Sequence, residues 1–189
     1  GGIKLTLCGA VLIFLASLVG PARADDIIVS KAYFEDPTGA LPFSEIKDQN
    51  FTRYEGAFSK GYSSSNFWFK LTIDPTKISQ STNVDSKIII LRIRPPYLRE
   101  IEFFDPAHES LSRRLSGDQH SSALDEYRSL NLNFVMPAGD APRDVYIRLN
   151  TSSSTFINFE AYPKDKIIIY DYWQLGLFVL FISLVIISL

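Results

Sequence analysis

Two apolar segments, one at each end of the chain with a more polar stretch between them, constrain this protein more than any other feature. Leu5 to Val19 is an apolar run behind Lys4, and Pro21-Ala22-Arg23-Ala24 closes it with the small-x-small pattern that a signal peptidase cleaves. Residues 1–24 therefore read as a signal peptide and the chain as exported. A retained signal anchor is the alternative, because the positive front of the segment is thin. At the other end Leu175 to Leu189 is apolar apart from small or hydroxylated residues. Such a stretch covers about 22 Å as a helix, short of the roughly 30 Å hydrocarbon core of a bilayer. The pattern predicts an exported domain over 25–165, a juxtamembrane connector over 166–174 and, over 175–189, the truncated first helix of a membrane region. Tyr170, Tyr172 and Trp173 precede the apolar run, as an aromatic belt at a lipid interface would.

The middle is long enough for one domain with a real core. The hydrophobic fraction of 46% overstates its apolar content, since both ends raise the average. A net charge of -2, spread along the chain, gives no nucleic-acid footprint. The single cysteine, Cys8, falls inside the first apolar run, so the exported domain has no thiol for a disulfide, a Cys-ligated zinc or a nucleophile. His108 and His120 are the only histidines and have no metal-ligand spacing. The serine clusters at 63–65 and 152–154 lack the glycine-flanked elbow of a hydrolase. Glu100 and Glu102 share one strand face, whereas a glycosidase needs two carboxyls facing across a cleft. No metal, cofactor or catalytic residue is assigned, and the fragment is not expected to be an enzyme.

Period-two alternation recurs through the middle and predicts an all-β domain. Candidate strands are Ile27–Phe34, Phe67–Ile73, Lys87–Ile93, Arg99–Phe104, Ser129–Met136, Asp144–Leu149 and Thr155–Ala161. Turn chemistry separates them at Asp36-Pro37-Thr38-Gly39, Asp74-Pro75, Pro95-Pro96, Asp105-Pro106 and Pro137-Ala138-Gly139-Asp140. Many short strands at such spacing favour an antiparallel sandwich or barrel. One helical turn is expected over Pro42 to Asp48, with Ser44 as its cap. In these strands Phe67, Phe69, Leu71 and Ile73, Leu130, Leu132, Phe134 and Met136, and Val145, Ile147 and Leu149 form core faces. The opposite faces carry Trp68, Tyr146, Arg92, Arg148, Asn131, Asn133 and Asn158, which combine flat rings with fixed donors and acceptors. Sugars require that combination, a ring for the C–H face and planar polar groups for the hydroxyls. A solvated sheet face with a partly covered Trp is the alternative.

The run Tyr33-x-x-Asp36-Pro37-Thr38-Gly39, then Phe43-x-x-Ile46 with Phe51, then Gly61-Tyr62-Ser63-x-Ser65-x-Phe67-Trp68-Phe69-Lys70-Leu71 resembles a known receptor family. So do Ile101-x-Phe103-Phe104-Asp105, Gly117-Asp118, Tyr127-Arg128 and Tyr146-Ile147-Arg148-Leu149 further along. The family is the second type of extracellular domain of the bacterial seven-transmembrane receptors with diverse intracellular signalling modules. The resemblance covers nearly the whole exported domain. Lys70 departs from the more usual arginine and lacks its planar fork, and 120–125 is more polar than usual. The resemblance implies a jelly-roll-like antiparallel β-sandwich similar to carbohydrate-binding modules. It also implies a periplasmic ligand sensor on the inner membrane, with a diguanylate cyclase or histidine kinase as output module beyond this fragment.

The leading expectation is a sensor for a small, sugar-like ligand. Trp68 and Tyr146 are the stacking candidates, and Arg92, Arg128 and Arg148 the candidates for polar or anionic groups. Arg128 and Arg148 could equally be buried and paired with carboxylates. An alternative from another class is a module that docks a protein partner or forms a homodimer, since the same Trp, Tyr and Arg content suits an interface hot spot. A tethered hydrolase ranks third.

Overall fold

The alternation seen in the sequence folds into two antiparallel sheets packed face to face. The computed structural model describes residues 26–63, 65–78, 87–96, 98, 100–108, 114–116, 131–150 and 154–187; the expected signal peptide, 1–24, lies outside them. The strands are β1 (Ile28–Asp36), β2 (Thr52–Arg53), β3 (Phe58–Tyr62), β4 (Asn66–Ile73) and β5 (Ile88–Arg94), followed by β6 (Glu100–Phe104), β7 (Arg114–Ser116), β8 (Leu132–Pro137), β9 (Arg143–Asn150) and β10 (Ser154–Pro163). One sheet has the order β2-β1-β4-β9-β6-β7, the other β3-β10-β5-β8. The jelly-roll-like antiparallel sandwich expected from the sequence is the observed architecture.

Every second residue of the central strands points into the space between the sheets. Phe67, Phe69, Leu71 and Ile73 of β4, Val145, Ile147 and Leu149 of β9, and Ile101 and Phe103 of β6 are fully buried there. They meet Ile89, Leu91 and Ile93 of β5, Phe134 and Met136 of β8, and Ile157, Phe159 and Ala161 of β10. Ring contacts cross the interface: Phe103 stacks on Phe134 at 5.0 Å, and Phe69 meets Phe159 at 5.0 Å. Burial of these side chains is the main term favouring the fold.

The start of β1 bridges the two sheets. Ile27 N donates to Ala161 O at 3.1 Å, and Ala161 N donates to Asp26 Oδ1 at 3.1 Å, so this end of the chain is stapled to β10. Lys31 Nζ then reaches Phe159 O at 2.7 Å. Burial pushes the Asp26 carboxyl above its ordinary range, against the hydrogen bonds from the Ile28 and Ala161 amides.

The expected helical turn is α1 (Phe43–Ile46), but Pro42 occupies its N-cap position without a side-chain hydrogen bond, and Ser44 lies inside the helix. This is a correction to the cap assignment: proline fits the entry to a first turn because it has no N–H to satisfy. The second helix, α2 (Lys164–Ile187), has 24 residues and is long and apolar enough to cross a membrane. At 1.5 Å per residue it extends about 36 Å, against a hydrocarbon core of roughly 30 Å. Residues 166–174, expected as a connector, are part of this helix. Its apolar side chains, among them Phe178, Val179 and Ile186, are exposed, as a lipid-facing surface requires.

Phe103→Ala is expected to cost about 3–5 kcal/mol, because it empties the ring contact between the sheets. Denaturant unfolding of the detergent-solubilised chain measures it, and a loss under about 1 kcal/mol would contradict a tightly packed core.

Candidate ligand-binding site

Strand register decides which side chains meet on the outer face of the six-stranded sheet. Across β1, β4, β9 and β6 one row reads Phe34, Trp68, Arg148, Glu102, and the next reads Ala32, Lys70, Tyr146, Phe104. Aromatic rings on such a face would be costly in water. Here the chain between β1 and β2, residues 37–51 with α1 in it, crosses over them as a strap. Ile46, Trp68, Phe104 and Tyr146 form a second apolar cluster, with Phe34, Leu41, Phe43 and Phe51 packed against it. Phe43 is the centre of the cover. It stacks on Phe104 at 4.5 Å with 9° between the ring planes, lies over Trp68 at 6.3 Å and meets Tyr146 edge-on at 5.4 Å. Trp68 retains only 1% of its exposure.

A polar edge adjoins this cluster. The Arg148 guanidinium lies over the Trp68 ring at 5.6 Å, and Nη1 is 3.6 Å from Glu102 Oε2. Arg148 Nη2 donates to Gly39 O at 2.5 Å, and Asn66 Nδ2 donates to the same carbonyl at 3.0 Å. Gly39 has φ +65°, and a Cβ there would stand 3.2 Å from Asn66 Nδ2, so glycine suits both the turn and the close approach. Two donors inside the cluster, Trp68 Nε1 and Arg148 Nε, are buried with no hydrogen-bond partner among the described residues. A buried donor left unpaired costs about 1–3 kcal/mol.

Asp36 fixes the first bend of the strap. Its fully buried carboxylate accepts from Thr38 N at 3.0 Å, Thr38 Oγ1 at 2.6 Å and Leu41 N at 3.0 Å. Burial alone would raise its pKa, but the hydrogen bonds from Thr38, Leu41 and Gly39 together outweigh it and hold the carboxyl below its ordinary range. Burial, then the negative charges of Asp144 and Asp48, push the pKa of the Tyr146 hydroxyl upward.

Trp68, Tyr146 and Arg148, three of the five residues singled out in the sequence, thus share one place. The rings are covered, however, so they do not form an open stacking platform in this conformation. Arg92 belongs to the other sheet. It lies on the outer face of β5, in a row with Glu160 and Asn133, and is 2% exposed. Nearby, Arg94 Nη2 is 3.5 Å from Glu160 Oε2, and Asn158 Nδ2 donates to Glu160 Oε1 at 3.2 Å. The polar faces therefore divide in two, because strand alternation does not reveal which sheet a strand joins. Arg128 lies outside the described residues. Sequence reasoning did not single out Glu102, Asn66, Gly39, Phe43 or Phe104 as parts of this site. Only the outward phase of Glu102 on its strand signalled it. Among the described residues, no three His, Cys, Asp or Glu side chains come together as a metal site.

Asp36→Ala is expected to destabilise the chain by about 1–3 kcal/mol at neutral pH. Because the folded pKa is depressed, this contribution is present above the ordinary aspartate range and is lost as pH falls through the folded value. The stability difference between wild type and Asp36→Ala should therefore shrink as pH falls below the ordinary aspartate range. Denaturant titrations across that range check it, and a difference that does not vary with pH would contradict the role given to the carboxylate.

Comparison with known proteins now adds the identity of the fold. No curated protein matches the chain. Residues 30–162, which run from β1 through β10, match the family described as 7TMR-DISM extracellular 2, and the chain belongs to that family of extracellular membrane-receptor domains.

Proposed function

We propose that this chain is the ligand-sensing part of a bacterial signalling receptor, placed in the periplasm and held in the inner membrane by α2. Its ligand is a carbohydrate-like small molecule, and its occupancy controls a cytoplasmic diguanylate cyclase or histidine kinase module elsewhere in the receptor. The observation that carries this reading is the gathering of Trp68, Tyr146 and Arg148 with Glu102 on one sheet face. Rings supply surface for the C–H face of a sugar, while a guanidinium and a carboxylate supply planar donors and acceptors for hydroxyls.

Continuity of the chain supports a signalling role. β10 ends at Pro163 and α2 begins at Lys164, so the last strand and the apolar helix are consecutive in the chain. Phe69, next to Trp68 on β4, packs on Phe159 of β10, and the Lys31 ammonium ties β1 to the Phe159 carbonyl. A shift of β4 is thereby mechanically coupled to β10. A ligand biases such an equilibrium only through its different affinities for the two states.

A second reading, a module that docks a protein or pairs with another copy, is favoured by one observation. Tyr62 is 86% exposed and Phe156 is 52% exposed, both on paired strands at one edge of the four-stranded sheet. Light scattering across a concentration series separates the two readings, because docking to a second copy gives a mass that rises with concentration and falls back with Phe156→Ala.

A thermal-shift screen of the detergent-solubilised chain against mono- and oligosaccharides tests the sensor reading. Saturable stabilisation that Arg148→Gln and Tyr146→Phe each weaken by about tenfold or more in apparent affinity is the expected result. A flat response from a folded chain would shift the weight to docking.

A further inference from the structure

We infer that the strap over the six-stranded sheet is a lid, and that the cluster beneath it is a closed binding site for a neutral, hydroxyl-bearing saccharide. This rests on the sensor reading and gives it a location and a gate. Three features point to it.

The first is the way the strap is attached. Between β1 and β2 it has no strand partner among the described residues, and α1 is a single turn without a side-chain cap. It is held to the sheet by Leu41, Phe43, Ile46 and Phe51 and by the two hydrogen bonds into Gly39 O. Its ends are fixed, at Asp36 by the turn and at Thr52–Arg53 by pairing with β1. A segment fixed at both ends and held between them by side chains alone can lift without disturbing a strand. Local openings of this kind are drawn from the least stable parts of a fold.

The second is the content of the covered surface. A purely structural second core needs only apolar side chains, yet Trp68 Nε1 within this one and Arg148 Nε at its edge are buried donors with no acceptor among the described residues. Both are rigid planar donors, and Glu102, 3.6 Å from the same guanidinium, adds a carboxylate acceptor. A sugar hydroxyl both accepts and donates, so it satisfies an N–H and a carboxylate at once.

The third is the coupling of lid and site through one side chain. Arg148 Nη2 holds the strap at Gly39 O, while the same guanidinium carries an Nε with no partner among the described residues. A ligand that takes hydrogen bonds from Arg148 competes with the strap for it, so binding and strap position are linked without any further element.

The test uses the full chain in detergent with Trp173→Phe, which leaves Trp68 as the sole one of its two tryptophans. Hydrogen exchange of the Trp68 indole N–H is followed by NMR beside the backbone amides of Phe69 and Ile147. A lid predicts indole exchange at least about 100-fold faster than those core amides and only weakly dependent on denaturant. Phe43→Ala should speed the indole further while leaving the core amides nearly unchanged, and Phe43→Leu should restore it. Maltotriose, cellobiose and xylobiose serve as probes. At least one should slow indole exchange and shift Trp68 emission saturably.

Exchange of the indole at the rate of the core amides would overturn the lid. Fast indole exchange that no saccharide alters would overturn the binding site, leaving a water-filled recess under the strap. Saccharides that raise the melting temperature but leave Trp68 untouched would sink this inference alone and leave the sensor reading standing.

Discussion

The pairing register of β4 with β9 is the constraint on which the rest of the structure depends. With Phe67, Phe69 and Leu71 opposite Leu149, Ile147 and Val145, these six apolar side chains turn toward the second sheet. The same register necessarily places Trp68 opposite Arg148 and Lys70 opposite Tyr146 on the outside. A slip of β4 by one residue would turn its own apolar set outward and bring Lys70 into the core, where an unpaired charge is costly. The core thus fixes the outer face as firmly as it fixes itself.

That outer face then creates a problem which the strap solves. An indole, a phenol and a phenyl ring side by side cannot be left in water without loss, and Phe43 and its neighbours cover them. The solution brings charge along with it. Arg148 is partly shielded, paired to Glu102 and hydrogen-bonded to the strap at Gly39, so covering the rings also ties down a guanidinium. A pair of this kind adds little net stability, since the desolvation cost offsets most of the attraction. At the margin of an otherwise apolar cluster, it adds polar groups that a purely structural second core does not require.

The seven longer strands were legible in the sequence because each has one face in the core, and period-two alternation reports that directly. β2, β3 and β7 were not. β2 is two exposed residues, β3 buries only Phe58 and contains Gly61, and β7 is three residues long, so none carries a readable alternation. The strap was half legible. The turn at Asp36-Pro37-Thr38-Gly39 and the short helix follow from local chemistry, but Leu41, Phe43, Ile46 and Phe51 keep no period and acquire meaning only where they land. The division of the outward residues between the two sheets was not legible for a related reason. Alternation shows that Trp68 and Arg92 both point away from the core, yet only strand order shows that they point in opposite directions from it. Membership of the receptor family, in contrast, was carried by the order of motifs along the chain and survived these local errors.

Together these features describe a sandwich whose core is ordinary and whose covered outer face is not, with its last strand passing directly into an apolar helix. A crystal structure of the chain with a saccharide that stabilises it tests this account most directly. The account predicts sugar density between the strap and the Trp68–Arg148 row, with both donors engaged and Phe43 displaced from Phe104. Density on the outer face of the four-stranded sheet, beside Arg92 and Glu160 and with the strap unmoved, would contradict it.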